Sequence, residues 1–390
     1  MQKYNFDITP DLRGTGSRRW IQPEECTETR AVIGMGTADL DFKCPPCISS
    51  ALQRTAEEEI YNYRMTPESY YNGIRDYYSR RYGMNVSKDW IVGLPGTLPT
   101  IRLLLTAFAS EGDGIIMQSP YFNPLRTVIE GSGCRLIENP MKLTEGRYEL
   151  DFEDFERKLK EENPSIFILV NPQNPSGRVF SKEKLRKLTD LCEKYDVLIL
   201  SDEVHSLITY DNHQHIPILA VSENARRRSI LVFSLSKGFN IMGLTHAITL
   251  IADPDLRRKW KEFLRPFDFD YVMNAFSVAG VTAALSREAE VWLAELTEYL
   301  KGNRDLLMRE LAESLFPMKP VCPEAGFLMW TDCRGMGIDA ADMERFFLEQ
   351  AGISLDNGAN FGIQGDGFVR INFAVSRSTL KEAVRRLKEM

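Results

Sequence analysis

The feature that most constrains this chain is a series of short, unbroken apolar runs: Gly114-Ile-Ile-Met-Gln, Ser165-Ile-Phe-Ile-Leu-Val, Val197-Leu-Ile-Leu, Ser229-Ile-Leu-Val-Phe and Ala247-Ile-Thr-Leu-Ile. Amphipathic stretches of helical periodicity stand among them, near 97–111, 151–162 and 181–195. A strand with one wet face alternates polar and apolar residues, so runs without alternation are expected to be covered on both faces. The spacing predicts an α/β fold with a mostly parallel mixed sheet between layers of helices.

A chain of 390 residues exceeds the usual size of one core. The strand–helix series defines a large domain over 46–285. It opens with two helices between Pro46 and Arg81, broken at Thr66-Pro67-Glu68, the first with Ala51, Leu52, Ala56 and Ile60 on one stripe. After residue 286 the pattern changes to a long charged helix over 288–315 and a Pro-rich connection. A strand near 327–331, a helix near 340–351, a strand over 367–373 and a terminal helix follow. This reads as a smaller α+β domain, 286–390, completed by 1–45.

Charge and cysteine usage narrow the function classes. Forty-eight Lys and Arg against 55 Asp and Glu give a net charge of -7, which offers no general attraction for nucleic acid or an anionic bilayer. No apolar run reaches membrane-spanning length, and Met1-Gln-Lys-Tyr-Asn-Phe-Asp lacks the basic segment of a leader, so a cytoplasmic protein is expected. Seven scattered cysteines do not form a disulfide framework. Cys44-Pro-Pro-Cys47 has no second pair at zinc spacing and reads as two structural thiols, while His213-Gln-His215 lacks a third ligand and reads as a surface loop. No metal site is expected.

Ligands of open parallel sheets bind beyond the carboxyl ends of the strands. Three polar clusters stand there: Asn171-Pro-Gln-Asn174-Pro, Ser201-Asp202-Glu203-Val-His205 and Ser234-Leu-Ser236-Lys237-Gly-Phe-Asn240. A lysine with an opposed carboxylate suits pyridoxal phosphate, since the amine can hold the cofactor as a Schiff base and the carboxylate keeps the pyridine nitrogen protonated. Lys237 and Asp202 are the candidates. Ser234 and Ser236 lie near enough to take the phosphate, and Asn174 can donate to the ring oxygen. Gly93-Leu-Pro-Gly96-Thr97-Leu98 opens a helix and supplies a second phosphate element. His205 either tunes Asp202 or is a satisfied polar residue.

These clusters, with Gly367-Phe-Val-Arg370-Ile-Asn372 and Thr37-Ala-Asp39-Leu-Asp41-Phe, resemble fold-type I pyridoxal-phosphate enzymes and, more narrowly, the MalY/PatB group of cystathionine beta-lyases within aminotransferase class I/II. The likeness covers nearly the whole chain. It implies that Lys237 carries the cofactor, Asp202 pairs with the pyridinium, Asn174 meets the ring hydroxyl and Arg370 binds the α-carboxylate of an amino-acid substrate, with Thr37 beside it. Gly96, Thr97, Leu98, Ser234 and Ser236 would hold the phosphate. Tyr63 matches a tyrosine that reaches the phosphate from a neighbouring subunit, which implies a homodimer with shared sites.

Three positions depart from relatives. Phe122 stands where the group has a ring-stacking tyrosine, and Gly36 where it commonly has a tryptophan. Thr245, followed by His246, stands where aspartate-type aminotransferases carry a phosphate-binding arginine. This last departure favours a carbon–sulfur β-lyase that converts L-cystathionine or a related cysteine thioether to thiol, pyruvate and ammonia. An aminotransferase is the alternative. A non-catalytic cofactor-binding regulator is set aside, because no helix-turn-helix extension precedes residue 40.

Overall fold

The computed structural model describes residues 3–12, 14–20, 32–267, 273–313 and 317–390. Its large sheet has seven strands in the order Ile91–Leu94, Ala247–Ile251, Ser229–Phe233, Leu198–Asp202, Ile166–Val170, Gly114–Ser119, Arg135–Pro140. The last five are mutually parallel, and Ala247–Ile251 runs antiparallel to both its neighbours. Every residue of Ile166–Val170, Ser229–Phe233 and Ala247–Ile251 is buried, as unalternating apolar runs require. The one reversal has a local cause. Parallel neighbours need a crossover helix of some length, and between Phe233 and Ala247 the chain has room only for the single turns Ser236–Phe239 and Met242–Leu244.

Helices Thr97–Phe108, Asn123–Gly131, Phe152–Glu162, Lys182–Lys194 and Pro254–Leu264 cover this sheet. Several start where the sequence offers a capping side chain: Asp151 accepts from the amide of Asp154, Ser181 from Lys184 and Asp253 from Leu256. Each turns a narrow apolar stripe inward, such as Phe155 with Leu159, or Leu185 with Leu188 and Cys192. Each side chain so buried stabilises the fold by about 1.5–3 kcal/mol. The first helix, Pro46–Glu57, departs from expectation: it buries Ile48, Ala51 and Thr55, whereas Ala56 is exposed and Ile60 lies beyond its end, also exposed. The second, Glu68–Tyr82, buries Tyr70, Ile74, Tyr77 and Tyr78.

A second, antiparallel sheet is ordered Lys319–Val321, Leu328–Asp332, Phe368–Asn372, Asp356–Asn357. The N-terminal segment joins this part of the molecule, since Ile33–Gly34 pairs in parallel with Ile353–Ser354. The charged helix Arg287–Ala312 leads into it. No described helix is long and apolar enough to cross a membrane.

Candidate active site

Strand register assembles the site. Val170 pairs with Asp202 and Asp202 with Val232, so the segments that follow, 171–174, 203–205 and 234–237, emerge side by side at one edge of the large sheet. Asp202 is the last residue of its strand and is buried. Its Oδ1 accepts from the Val204 amide at 3.2 Å. Ser234 Oγ donates to the His246 carbonyl at 2.8 Å and lies 3.0 Å from Ser236 Oγ. Lys237 stands in the single turn Ser236–Phe239, and its Nζ donates to the Ala38 carbonyl at 2.6 Å.

Burial sets the charge states here. It pushes the Asp202 carboxyl up to about 6, with Glu203 adding to the rise and Lys237 opposing it. It brings the Lys237 amine down to about 8, assisted by Arg370 and opposed by Asp39 and Asp202. Lys237 thus feels the charges of Arg370, Asp39 and Asp202 together.

The second sheet supplies the other wall. Arg370 is buried; its Nη1 donates to Asn174 Oδ1 at 3.2 Å, and its Nη2 donates to the Gly36 carbonyl at 3.1 Å and to Asp356 at 2.5 Å. Its Nε is buried with no partner. Burial lowers the Arg370 pKa against the pull of Asp356. Asn372, two residues on, donates from Nδ2 to the carbonyls of Thr37 and Asp39 at 2.6 and 2.7 Å. Asn240 holds the next turn through the carbonyls of Leu40 and Phe42, both at 2.8 Å. The Thr37-Ala-Asp39-Leu segment is therefore a bridge between the sheets, fixed by an asparagine from each side. Arg19 adds an ion pair to Asp39 at 2.6 Å.

Gly96 precedes the helix Thr97–Phe108 with a φ of 91°, a region that favours glycine, and no side chain caps that helix. Helix starts leave their first amides unpaired, and here Thr97 and Leu98 contribute them. Thr245 takes a left-handed conformation, and the neighbouring His246 is buried, brought down to about 4 by burial, with Nε2 3.1 Å from Tyr70 Oη. A neutral imidazole thus follows the position at which aspartate-type aminotransferases carry an arginine.

The remaining candidates divide. Phe122 is half-buried and packs against the buried apolar core, whereas its neighbour Tyr121 is buried and donates to Glu138. Tyr63 is 87% exposed, in the segment between the first two helices, and does not contribute to the site within its own chain. His205 is buried beside Phe327, with ring centroids 6.3 Å apart, and makes no hydrogen bond to Asp202. Burial, then Lys237 and Arg370, bring its pKa down to about 3. The surface-loop expectation for His213-Gln-His215 is wrong for His215, which is buried with Nε2 2.7 Å from Glu203 Oε2. Glu203 also accepts from Ser201 Oγ and the Ile218 amide, so the histidine is drawn in by a buried carboxylate one residue past Asp202.

Sequence reasoning missed Asp356, Asp39 with Arg19, and the Glu203–His215 pair. Asp39, Glu203 and His215 stand within quoted motifs but their partners do not follow from those motifs; Asp356 has no local pattern, because its meaning arises from pairing with a strand fourteen residues on. Six cysteines lie among the described residues, all free, and Cys26 lies outside them. No cluster of metal-ligating side chains occurs among the described residues.

The family model for aminotransferase class I and II matches residues 30–387. Cystathionine beta-lyase PatB of Bacillus subtilis is 32% identical over 98% of this chain and 99% of its own. The fold superposes on cystalysin from Treponema denticola, a structure containing pyridoxal 5'-phosphate, with a TM-score of 0.94 and 26% identity over 99% of this chain and 98% of that one. It superposes equally fully on the pyridoxal-phosphate-bound C-S lyase of Staphylococcus hominis in complex with L-cycloserine, at a TM-score of 0.92 and 28% identity, covering 99% and 98%. These likenesses bear out the resemblance read from the motifs. The chain is a fold-type I enzyme that belongs to the aminotransferase class I and II family.

Proposed function

We propose that the protein is a pyridoxal-phosphate-dependent carbon–sulfur β-lyase acting on L-cystathionine or a related cysteine thioether. The observation that carries this reading is the buried Lys237 amine, which feels the charges of Arg370 and Asp202, with Arg370 itself hydrogen-bonded to Asn174. The residues fit the cofactor. Arg370 Nε is a buried donor without an acceptor, the helix start at Thr97 lacks a side-chain cap, and Asp202 is a buried carboxyl whose charge a bound cation would offset. Asp202 would face the pyridine nitrogen and Asn174 the ring oxygen, with Phe122 against the ring. Gly96, Thr97, Leu98, Ser234 and Ser236 would hold the phosphate. When bound, the cofactor supplies an electron sink for charge developing at the substrate Cα.

Everything else falls to this chain. Arg370 anchors the α-carboxylate, because a guanidinium matches a carboxylate in plane and in charge. Lys237, once released, takes the proton from Cα; with a pKa of about 8 roughly a tenth of it is neutral at pH 7, several hundred times more than for an ordinary lysine. Burial raises the Asp202 pKa to about 6, so a cation held against it, as the protonated ring would be, favours its ionised form. His205 stays neutral and adds no competing charge.

Elimination is favoured over transamination by the neutral His246 and left-handed Thr245 where an arginine phosphate ligand would stand, and by the name PatB carries. The test is product formation from L-cystathionine without any keto acid. A homodimer with Tyr63 reaching a neighbour's phosphate fits the exposure of Ile60, Tyr61, Tyr63 and Met65 in one segment. Six free thiols suit a reducing, cytoplasmic setting.

A further inference from the structure

We propose that Arg19 is a positioning residue for Lys237: from the N-terminal segment it grips the Asp39 carboxylate and offsets its charge beside the amine, which keeps that amine available in its neutral form. The inference rests on reading Lys237 as the residue that carries the cofactor.

Arg19 stands in a turn closed by the Trp20 amide, which donates to the Ser17 carbonyl at 3.0 Å, and it is only 2% exposed. Its Nε donates to Asp39 Oδ1 at 2.8 Å, and its Nη2 lies 2.6 Å from the same oxygen. Nη2 also donates to the Asp39 carbonyl at 2.7 Å, and Nη1 to the Gly34 carbonyl at 2.8 Å. A buried guanidinium directed by these acceptors is a charge held in one place. Gly34 permits the close approach: a Cβ there would stand 2.4 Å from the Arg19 carbonyl oxygen and 2.8 Å from its Cγ.

The bridge segment carries this contact to the site. Three successive carbonyls are occupied: Thr37 by Asn372, Ala38 by Lys237, and Asp39 by Arg19 together with Asn372. The amine and the guanidinium are thus bonded to neighbouring carbonyls, and the Asp39 side chain acts on both.

The charges that act on Lys237 come from three elements: Asp202 from the large sheet, Arg370 from the small sheet and Asp39 from the bridge. His205, buried near them, stays neutral and adds no charge. Burial and then Arg370 bring the amine down to about 8, and Asp39 and Asp202 pull the other way. Without Arg19 the Asp39 carboxylate would act on the amine unopposed and favour its protonated form. The field of Arg19 also reaches Asp41, a buried carboxyl with no hydrogen-bond partner, which burial raises, with Arg19 opposing and Asp39 adding.

The visible absorbance of the holoenzyme tests this, because pyridoxal phosphate bound through Lys237 changes colour as the nitrogen of that bond gains a proton. The pH midpoint of the change should rise by about 0.5 unit or more in Arg19→Gln and fall by about as much in Asp39→Asn. The double variant should return to within about 0.3 unit of wild type, and Arg19→Lys, which keeps the charge, should stay equally close. The pH at which cofactor capture by the cofactor-free chain levels off should move in the same directions. Should Arg19→Gln fail to fold, Asp39→Asn against the double variant decides, since that step removes the cation without leaving a carboxylate unpaired. An unchanged or lowered midpoint in Arg19→Gln, or a double variant that matches Asp39→Asn, overturns the proposal. If Lys237→Ala keeps the wild-type colour change, the reading of Lys237 itself fails, and that outcome is distinct from a failure confined to Arg19.

Discussion

Arg370 Nη1 donates to Asn174 Oδ1 across 3.2 Å, and this bond joins a strand of the small sheet to the segment beyond a strand of the large one. The proposed carboxylate anchor and the amide proposed to meet the cofactor ring are thus positioned by each other. Replacing Arg370 with Lys keeps a positive charge but loses the planar fork and the bond to Asn174. We expect kcat/KM to fall by about 100-fold or more, mostly through KM, as steady-state kinetics on any substrate will show.

Lys237 titrates at about 8, so its nucleophilic form increases with pH up to that value. Covalent capture of pyridoxal 5'-phosphate by the cofactor-free protein should accelerate about tenfold per pH unit below 8 and level off above it. Absorbance after rapid mixing measures the rate, and borohydride reduction with peptide mapping locates the label. Lys237→Ala should take up no covalent cofactor; a label on another lysine contradicts the assignment.

Asp202 has a folded-state pKa of about 6 against an ordinary 3.8, so folding disfavours its ionised form. In the cofactor-free protein the associated stability is present below 3.8 and lost as pH rises towards 6. At pH 7.5, cofactor-free Asp202→Asn should therefore be more stable than wild type by about 1–2 kcal/mol in urea unfolding. The same variant reconstituted with cofactor should lose about 100-fold or more in kcat, because the ring nitrogen no longer faces a charge. An equally active or a less stable variant would contradict this placement.

Much of this was legible in the sequence, and the residues show why. Asn174, Asp202 and Lys237 could be grouped because each follows an unalternating apolar run, and the sheet register brings such run ends together. The strand Arg135–Pro140 was not legible: it begins exposed and contains Glu138 and Asn139, since an edge strand needs only one buried face. The helix Ala275–Ala284 is not legible either, because it is apolar on nearly all sides and has no stripe. Asp356 and His215 were missed for a deeper reason. Their partners, Arg370 and Glu203, meet them only through tertiary packing, and no spacing rule connects them.

Glu203 and His215 have side chains only 1% exposed. Removing the imidazole leaves a buried carboxylate without one of its partners, so His215→Ala should destabilise the protein by about 2–4 kcal/mol in denaturant unfolding. The double change Glu203→Gln with His215→Ala should be less damaging than the sum of the two, since the charge leaves with its partner.

The central claim is a lyase built on Lys237, and product stoichiometry tests it most directly. Holoenzyme given L-cystathionine, L-cysteine or an S-alkyl cysteine, with no keto acid present, should release pyruvate and ammonia in equal amounts through many turnovers per site, and Lys237→Ala should release none. One equivalent per site from every thioether, with turnover restored only by adding 2-oxoglutarate or pyruvate, would contradict the lyase and make the protein an aminotransferase.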